Sequence, residues 1–197
     1  MDISFNWVLI LIQLDAEPSR HRVAVWRELR KLGAVPISAG VWAAPNLEWF
    51  MNGLERATEL CRRGGGSLFM IDAAPRGEQA EALIYDAFAA ARRDEWAEFI
   101  ADCGKFEEEI AREIAKEKFT FGELEEEEQS LDRLNRWWGD LARRDVLSLP
   151  EGVAAAGHLE ECRKVLSDYA ELVYQRVEIS TPATDITNAG FPEGRQS

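Results

Sequence analysis

The chain has 197 residues, 46% hydrophobic and 30% charged, with a formal net charge of −13. That length holds one or two compact units with ample core, and the negative balance excludes a protein that coats nucleic acid through bulk charge. Residues 1–76 hold nine Lys/Arg against eight Asp/Glu and residues 77–197 fourteen against twenty-eight, so binding of a polyanion requires a local basic patch.

Residues 7–14 are continuously apolar except Gln13, the pattern of a central strand covered on at least one face. The run is too short to cross a bilayer and lacks the flanks of a secretory signal. Ser19 then suits the N-cap of a helix reaching about Leu32, with Val25, Leu29 and Leu32 at helical spacing and Gly33 as its stop. Short strands are expected over 34–38 and 41–44 around the two-residue turn Ala39-Gly40. Pro45-Asn46 opens a second helix whose stripe is Leu47, Phe50, Leu54, Ala57 and Cys61. Gly64-Gly65-Gly66 ends it before a fourth strand over 67–73. Strand-helix-strand-strand-helix-strand is the ferredoxin-like βαββαβ plan, with both helices on one face of an antiparallel sheet.

Beyond residue 76 the period is helical. Leu83, Ala87 and Ala90 predict one helix, and residues from Trp96 to Ile114 predict a second, with Gly104 as a possible kink. Thr120 and Glu123 form a capping box for a helix carrying Leu124, Leu131, Leu134, Trp137, Trp138 and Leu141. Leu159, Cys162, Val165, Leu166, Tyr169, Leu172 and Val173 stripe a last helix ending near Val177. The expected fold is therefore α+β: a ferredoxin-like domain over 1–76, an antiparallel helical bundle over 77–179 and a flexible tail over 180–197.

The strongest functional feature is the basic first helix. Arg20, Arg27 and Lys31 fall near one line of it, while Arg22 and Arg30 flank Trp26, and His21 lies in the first turn. Such a stripe can contact DNA phosphates or hold a tetrahedral oxyanion through clustered guanidiniums; it can also be a solvated face. No helix-turn-helix, zinc-finger or zipper pattern accompanies it.

Asp15, joined by Asp72, suggests a weak divalent-metal site, although both residues suit turns. Glu107, Glu108 and Glu109 can approach the acidic run 123–128. Yet His158 with Glu161 is the lone Glu/His pairing, short of the two Glu-x-x-His motifs that bundle metal sites use. Cys61, Cys103 and Cys162 are odd in number, widely spaced and on apolar stripes, so reduced buried thiols of a cytoplasmic protein are expected. Trp26, Trp42, Trp96, Trp137 and Trp138 are expected in the core. The chain carries no nucleophile triad, P-loop or dinucleotide fingerprint, so neither an enzyme nor a resident cofactor or metal is expected.

The string from Glu17 to Ala34, with Gly40-Val41-Trp42, resembles the N-terminal region of ChrB proteins, the chromate-resistance regulators. So does the string from Phe119 to Glu128, followed by Leu134, Arg136-Trp137 and Arg144-Asp145. The likeness runs over about residues 5–178. The first segment is also similar, more loosely, to the Cas2-like domain of phenylacetate-type (PaaX) repressors. The ChrB resemblance implies a cytoplasmic, dimeric, chromate-responsive transcriptional regulator; joined to the basic first helix, it leads us to expect binding of DNA or an oxyanion such as chromate through Arg20, Arg22, Arg27, Arg30 and Lys31. Full-length ChrB proteins carry a further C-terminal domain, so sensing is expected outside this chain. Two alternatives stand beside it: a Cas2-like metal-dependent nuclease using Asp15, and an accessory module whose acidic bundle binds a protein partner.

Overall fold

A computed structural model describes residues 6–15 and 17–180; the expected tail beyond Ser180 lies outside the described residues. The elements run β1 (Trp7–Gln13), α1 (Ser19–Leu32), β2 (Val35–Ser38), β3 (Val41–Pro45), α2 (Glu48–Arg63), β4 (Ser67–Ala73), α3 (Glu78–Ala115), α4 (Phe121–Arg144) and α5 (Pro150–Ser180). The sheet order is β2-β3-β1-β4, every pairing antiparallel. This is the expected α+β ferredoxin-like plan followed by helices.

Side-chain alternation sorts the sheet into two cores. Val8 and Ile10 of β1, with Trp42 and Ala44 of β3, face α1 and α2, meeting Val25, Leu29, Phe50, Leu54, Ala57 and Cys61. On the opposite face Trp7, Val35 and Ala43 meet Ile84, Phe88 and Ala89 of α3, with Leu147 and Leu149. Covering on both faces explains why β1 reads as an apolar run rather than an alternation.

The two helices expected between residues 77 and 114 are one, α3, about 57 Å long at 1.5 Å per residue. Nothing breaks it: Gly104 sits in open space, and residues 91–95 contain neither Gly nor Pro. Its apolar face there is set by the sheet, so Ile84, Phe88 and Ala89 are buried, while Leu83 and Ala90 are exposed. The second part of α3 forms the bundle core with α4 and α5 through Phe99, Cys103, Phe106, Ile110, Leu134, Leu141, Leu159, Cys162 and Tyr169. Chain direction follows from the contacts. The rings of Phe99 and Trp137 lie 5.3 Å apart, and the Cys162 thiol donates to the Cys103 carbonyl at 3.6 Å. Helix α4 thus returns along α3, and α5 runs with it.

Helix ends differ from expectation in two places. Ser19 is the first helical residue, not the cap; Pro18 precedes it and has no side-chain oxygen to offer. At α4 the forward half of the capping box forms, Glu123 N–H to Thr120 Oγ1 at 3.3 Å. The Glu123 carboxylate instead takes the Lys118 ammonium at 3.2 Å. Leu172, assigned to the last apolar stripe, is also exposed, because Tyr169 and Val173 complete that face.

Candidate functional site

Helix α1 is held from both sides. Val25 and Leu29 anchor it on the sheet. At its end Gly33 takes φ 88°, where its N–H reaches the Arg30 carbonyl at 2.9 Å and the Ala34 N–H reaches that of Leu29 at 3.0 Å. This is a glycine-closed terminus that a Cβ would strain. With 3.6 residues per turn, Arg20, Arg27 and Lys31 fall within about 20° of one line pointing away from the core, spread over roughly 16 Å. Arg22, Trp26 and Arg30 make a second line towards the β2–β3 hairpin. All six are exposed.

Charge pairing separates this helix from its neighbours. Arg62 and Arg63 at the end of α2 both bind Glu59, at 2.9 and 2.8 Å, and hold its carboxyl down to about 2. Arg56 reaches Glu28 at 3.2 Å. Among the described residues, none of Arg20, Arg22, Arg27, Arg30 or Lys31 forms an ion pair. Arg20 instead meets His21 Nε2 at 3.4 Å, and Arg30 lies over the Trp26 ring, 5.2 Å from its centroid. Arg30 and Lys31 suit the negative end of the helix dipole. Arg20 sits at its positive end, where no acidic residue offsets it. The placement of Arg20 thus costs α1 stability and leaves its charge open to an external anion.

Trp26 corrects an expectation. Trp42 and Trp96 are buried as anticipated, and Trp137 and Trp138 half-buried, but Trp26 is 46% exposed. It stands off the Val25–Leu29 face and, with Arg22, lines a cleft of about 520 Å³ between α1 and the hairpin, floored by Ile12 and Trp42. Apolar periodicity places an aromatic near a core but cannot tell its edge from its centre.

A buried polar joint beneath α1 was not anticipated. Arg92 of α3, 2% exposed, donates to the Gly33 carbonyl at 2.9 Å and pairs with Glu95 at 3.0 Å. Arg144 of α4 donates to the Lys31 carbonyl at 3.2 Å. Its neighbour Asp145 accepts from Trp96 Nε1 at 2.9 Å and from the Leu149 N–H at 3.1 Å. Burial pulls the Arg92 proton affinity below its usual value, and Glu95 opposes that. The sequence marks Arg144-Asp145 only as part of the resemblance that the α1 string also carries. Its meaning is spatial: the two segments meet where α1 ends.

The remaining candidates are dispersed. β1 and β4 are antiparallel and Asp72 pairs with Val8, so Asp15 and Asp72 lie at opposite ends of the sheet, about 23 Å apart at 3.3 Å per residue. That separation keeps the two from sharing a metal ion within one chain. Asp72 instead accepts from Asn46 Nδ2 at 3.0 Å. Helices α3 and α4 do bring acidic residues together, yet Glu127 is buried. Burial, then Glu109 and Glu113, push its carboxyl above the usual range. His158 is exposed, and Glu161 pairs with Lys164 at 3.6 Å. Among the described residues no three His, Cys, Asp or Glu are placed to share a metal ion. All three cysteines are buried and free, as expected.

Among the described residues no helix is long and apolar enough to cross a membrane. The family described as Protein ChrB, N-terminal, matches residues 22–180. The match takes in Arg22, Arg27, Arg30 and Lys31, the Arg92–Arg144 joint and the whole bundle; Arg20 lies just before it. No curated protein and no solved structure matches the chain.

Proposed function

The chain belongs to the ChrB N-terminal family, associated with chromate resistance, and on that premise we propose that it is a non-catalytic module of a chromate-responsive transcriptional regulator that holds the DNA backbone on α1. The observation carrying this reading is the set of five exposed cations on one helix that have no carboxylate partner among the described residues, in a protein of charge −13. Elsewhere in the chain most cations are neutralised locally.

Shape favours DNA over a small oxyanion. A tetrahedral anion needs guanidiniums that converge on one point, whereas Arg20, Arg27 and Lys31 are strung over roughly 16 Å of helix. An extended line of phosphates fits that spacing. On this reading Arg22 and Trp26, which line the adjoining cleft, contact sugar or base beside the backbone.

Titrating duplex DNA by fluorescence anisotropy across a salt series tests the reading. Each phosphate contact contributes a slope of about −0.9 in log K against log salt. Replacing Arg27 and Lys31 together by Ala is expected to flatten the slope by about 2 and to weaken binding similarly on unrelated sequences. An unchanged curve rejects the assignment.

A further inference from the structure

The outer edge of the sheet carries a second surface, argued independently of the anion-binding reading. β4 is a regular seven-residue strand bonded to β1 on one side only, and its outer edge has no pairing among the described residues. Edge strands of stable monomers are usually blunted by lysines, prolines or bulges. Here the middle of the strand is Phe69-Met70-Ile71, at 50%, 47% and 50% exposure. The one charge on the strand, Asp72, is turned onto its own Asn46.

The apolar character extends onto the sheet face. Phe69 lies opposite Leu11 and Ile71 opposite Leu9. Helix α3 covers this face over β2 and β3 and meets β1 at Trp7 through Phe88, leaving Phe69 and Ile71 of β4 half-exposed beside the partly buried Leu9 and Leu11.

We propose that β4 pairs antiparallel with β4 of a second copy of this chain, making one continuous eight-stranded sheet. A two-fold axis normal to the sheet keeps every side chain on its own face, so the register must centre on a residue. Centring on Met70 engages the whole strand: Phe69 opposes Ile71 of the copy, Leu68 opposes Asp72 and Ser67 opposes Ala73. Phe69 against Ile71 is an aromatic/β-branched cross-strand pair, a favourable kind. The rows Leu9-Ile71 and Phe69-Leu11 then join across four strands.

The strand's own self-complementary register and its charge select a second copy as the occupant. Like copies at −13 repel, but the repulsion resides in residues 77–197; residues 1–76, which carry β4, are nearly neutral, so approach through this edge is the least opposed.

The test is the mass of the full chain in solution at about 100 µM by light scattering, with three variants. Wild type is expected at twice the chain mass. Ile71→Lys, which puts a charge opposite Phe69 without touching either core, is expected at the monomer mass with unchanged circular dichroism. Met70→Cys is expected to cross-link to its copy under mild oxidation, because residues opposed at the register centre have Cα atoms about 4.5–5.5 Å apart. Leu68→Cys, roughly 13 Å from its own copy, is expected not to. A monomeric wild type overturns the proposal, and so does a dimer that survives Ile71→Lys and leaves Met70→Cys uncross-linked.

Discussion

Two buried glutamates of the bundle have opposite electrostatic fates. Glu113 receives Lys118 at 3.0 Å and Lys116 at 3.2 Å; those partners, against burial, hold its carboxyl below the usual range. Among the described residues Glu127 has no ion-pair partner, and burial with Glu109 and Glu113 nearby pushes it up. A carboxyl raised in the folded state binds its proton more tightly there than in the unfolded chain. The stability it permits is therefore greatest below the ordinary carboxylate value of 4.5 and falls as pH rises through the raised one. Glu127→Gln, which removes that charge, is expected to melt higher than wild type at pH 7. The gap should shrink below pH 4.5, as read by paired thermal melts. A variant less stable than wild type at pH 7 would mean that ionised Glu127 is stabilised by a contact that outweighs its burial.

Helix α1 is positioned by the element that crosses beneath its end. Arg92 joins the Gly33 carbonyl to Glu95, and Arg144 takes the Lys31 carbonyl. The basic helix is thus braced by α3 and α4 at its final turn, and a Cβ at Gly33 would crowd the brace, 3.0 Å from Arg144 Cδ. Removing one member of such a buried pair strands the other charge, typically at a cost of about 3–5 kcal/mol. Arg92→Ala is expected to lower the melting temperature by about 10 °C for a chain of this size. It should also weaken any α1-dependent DNA binding more than the loss of one surface charge does. A change of only a degree or two would show that Glu95 is relieved by water.

At the scale of the whole molecule, α3 belongs to both cores, so sheet and bundle share one rigid rod. Helix α2 packs on β4 and α1 lies beyond it. Pairing through β4 therefore orders the helical layer α1, α2, α2, α1. At about 10 Å between packed helices the two basic lines lie roughly 30 Å apart, close to one turn of DNA. Ile71→Lys is consequently expected to weaken binding to a duplex of about 20 base pairs by at least tenfold through lost avidity. Binding to a duplex of about 8 base pairs, long enough for one copy, should not change. Equal loss on both duplexes would separate DNA binding from sheet pairing.

The linear chain settled whatever depends on nearest neighbours and period. An apolar run, a glycine stop, a two-residue turn and stripes at helical spacing placed the first six elements within a residue or two, and the cations of α1 on lines that follow from 3.6 residues per turn. Tertiary packing decided what depends on contacts between distant segments. It merged two expected helices into α3, because the sheet and the bundle each bury one part of it. It brought Trp26 to the surface, separated Asp15 from Asp72 through antiparallel pairing, and set Arg92 and Arg144 under α1. Burial and charge pairing depend on distances between segments far apart in the chain, and local periodicity carries no measure of those.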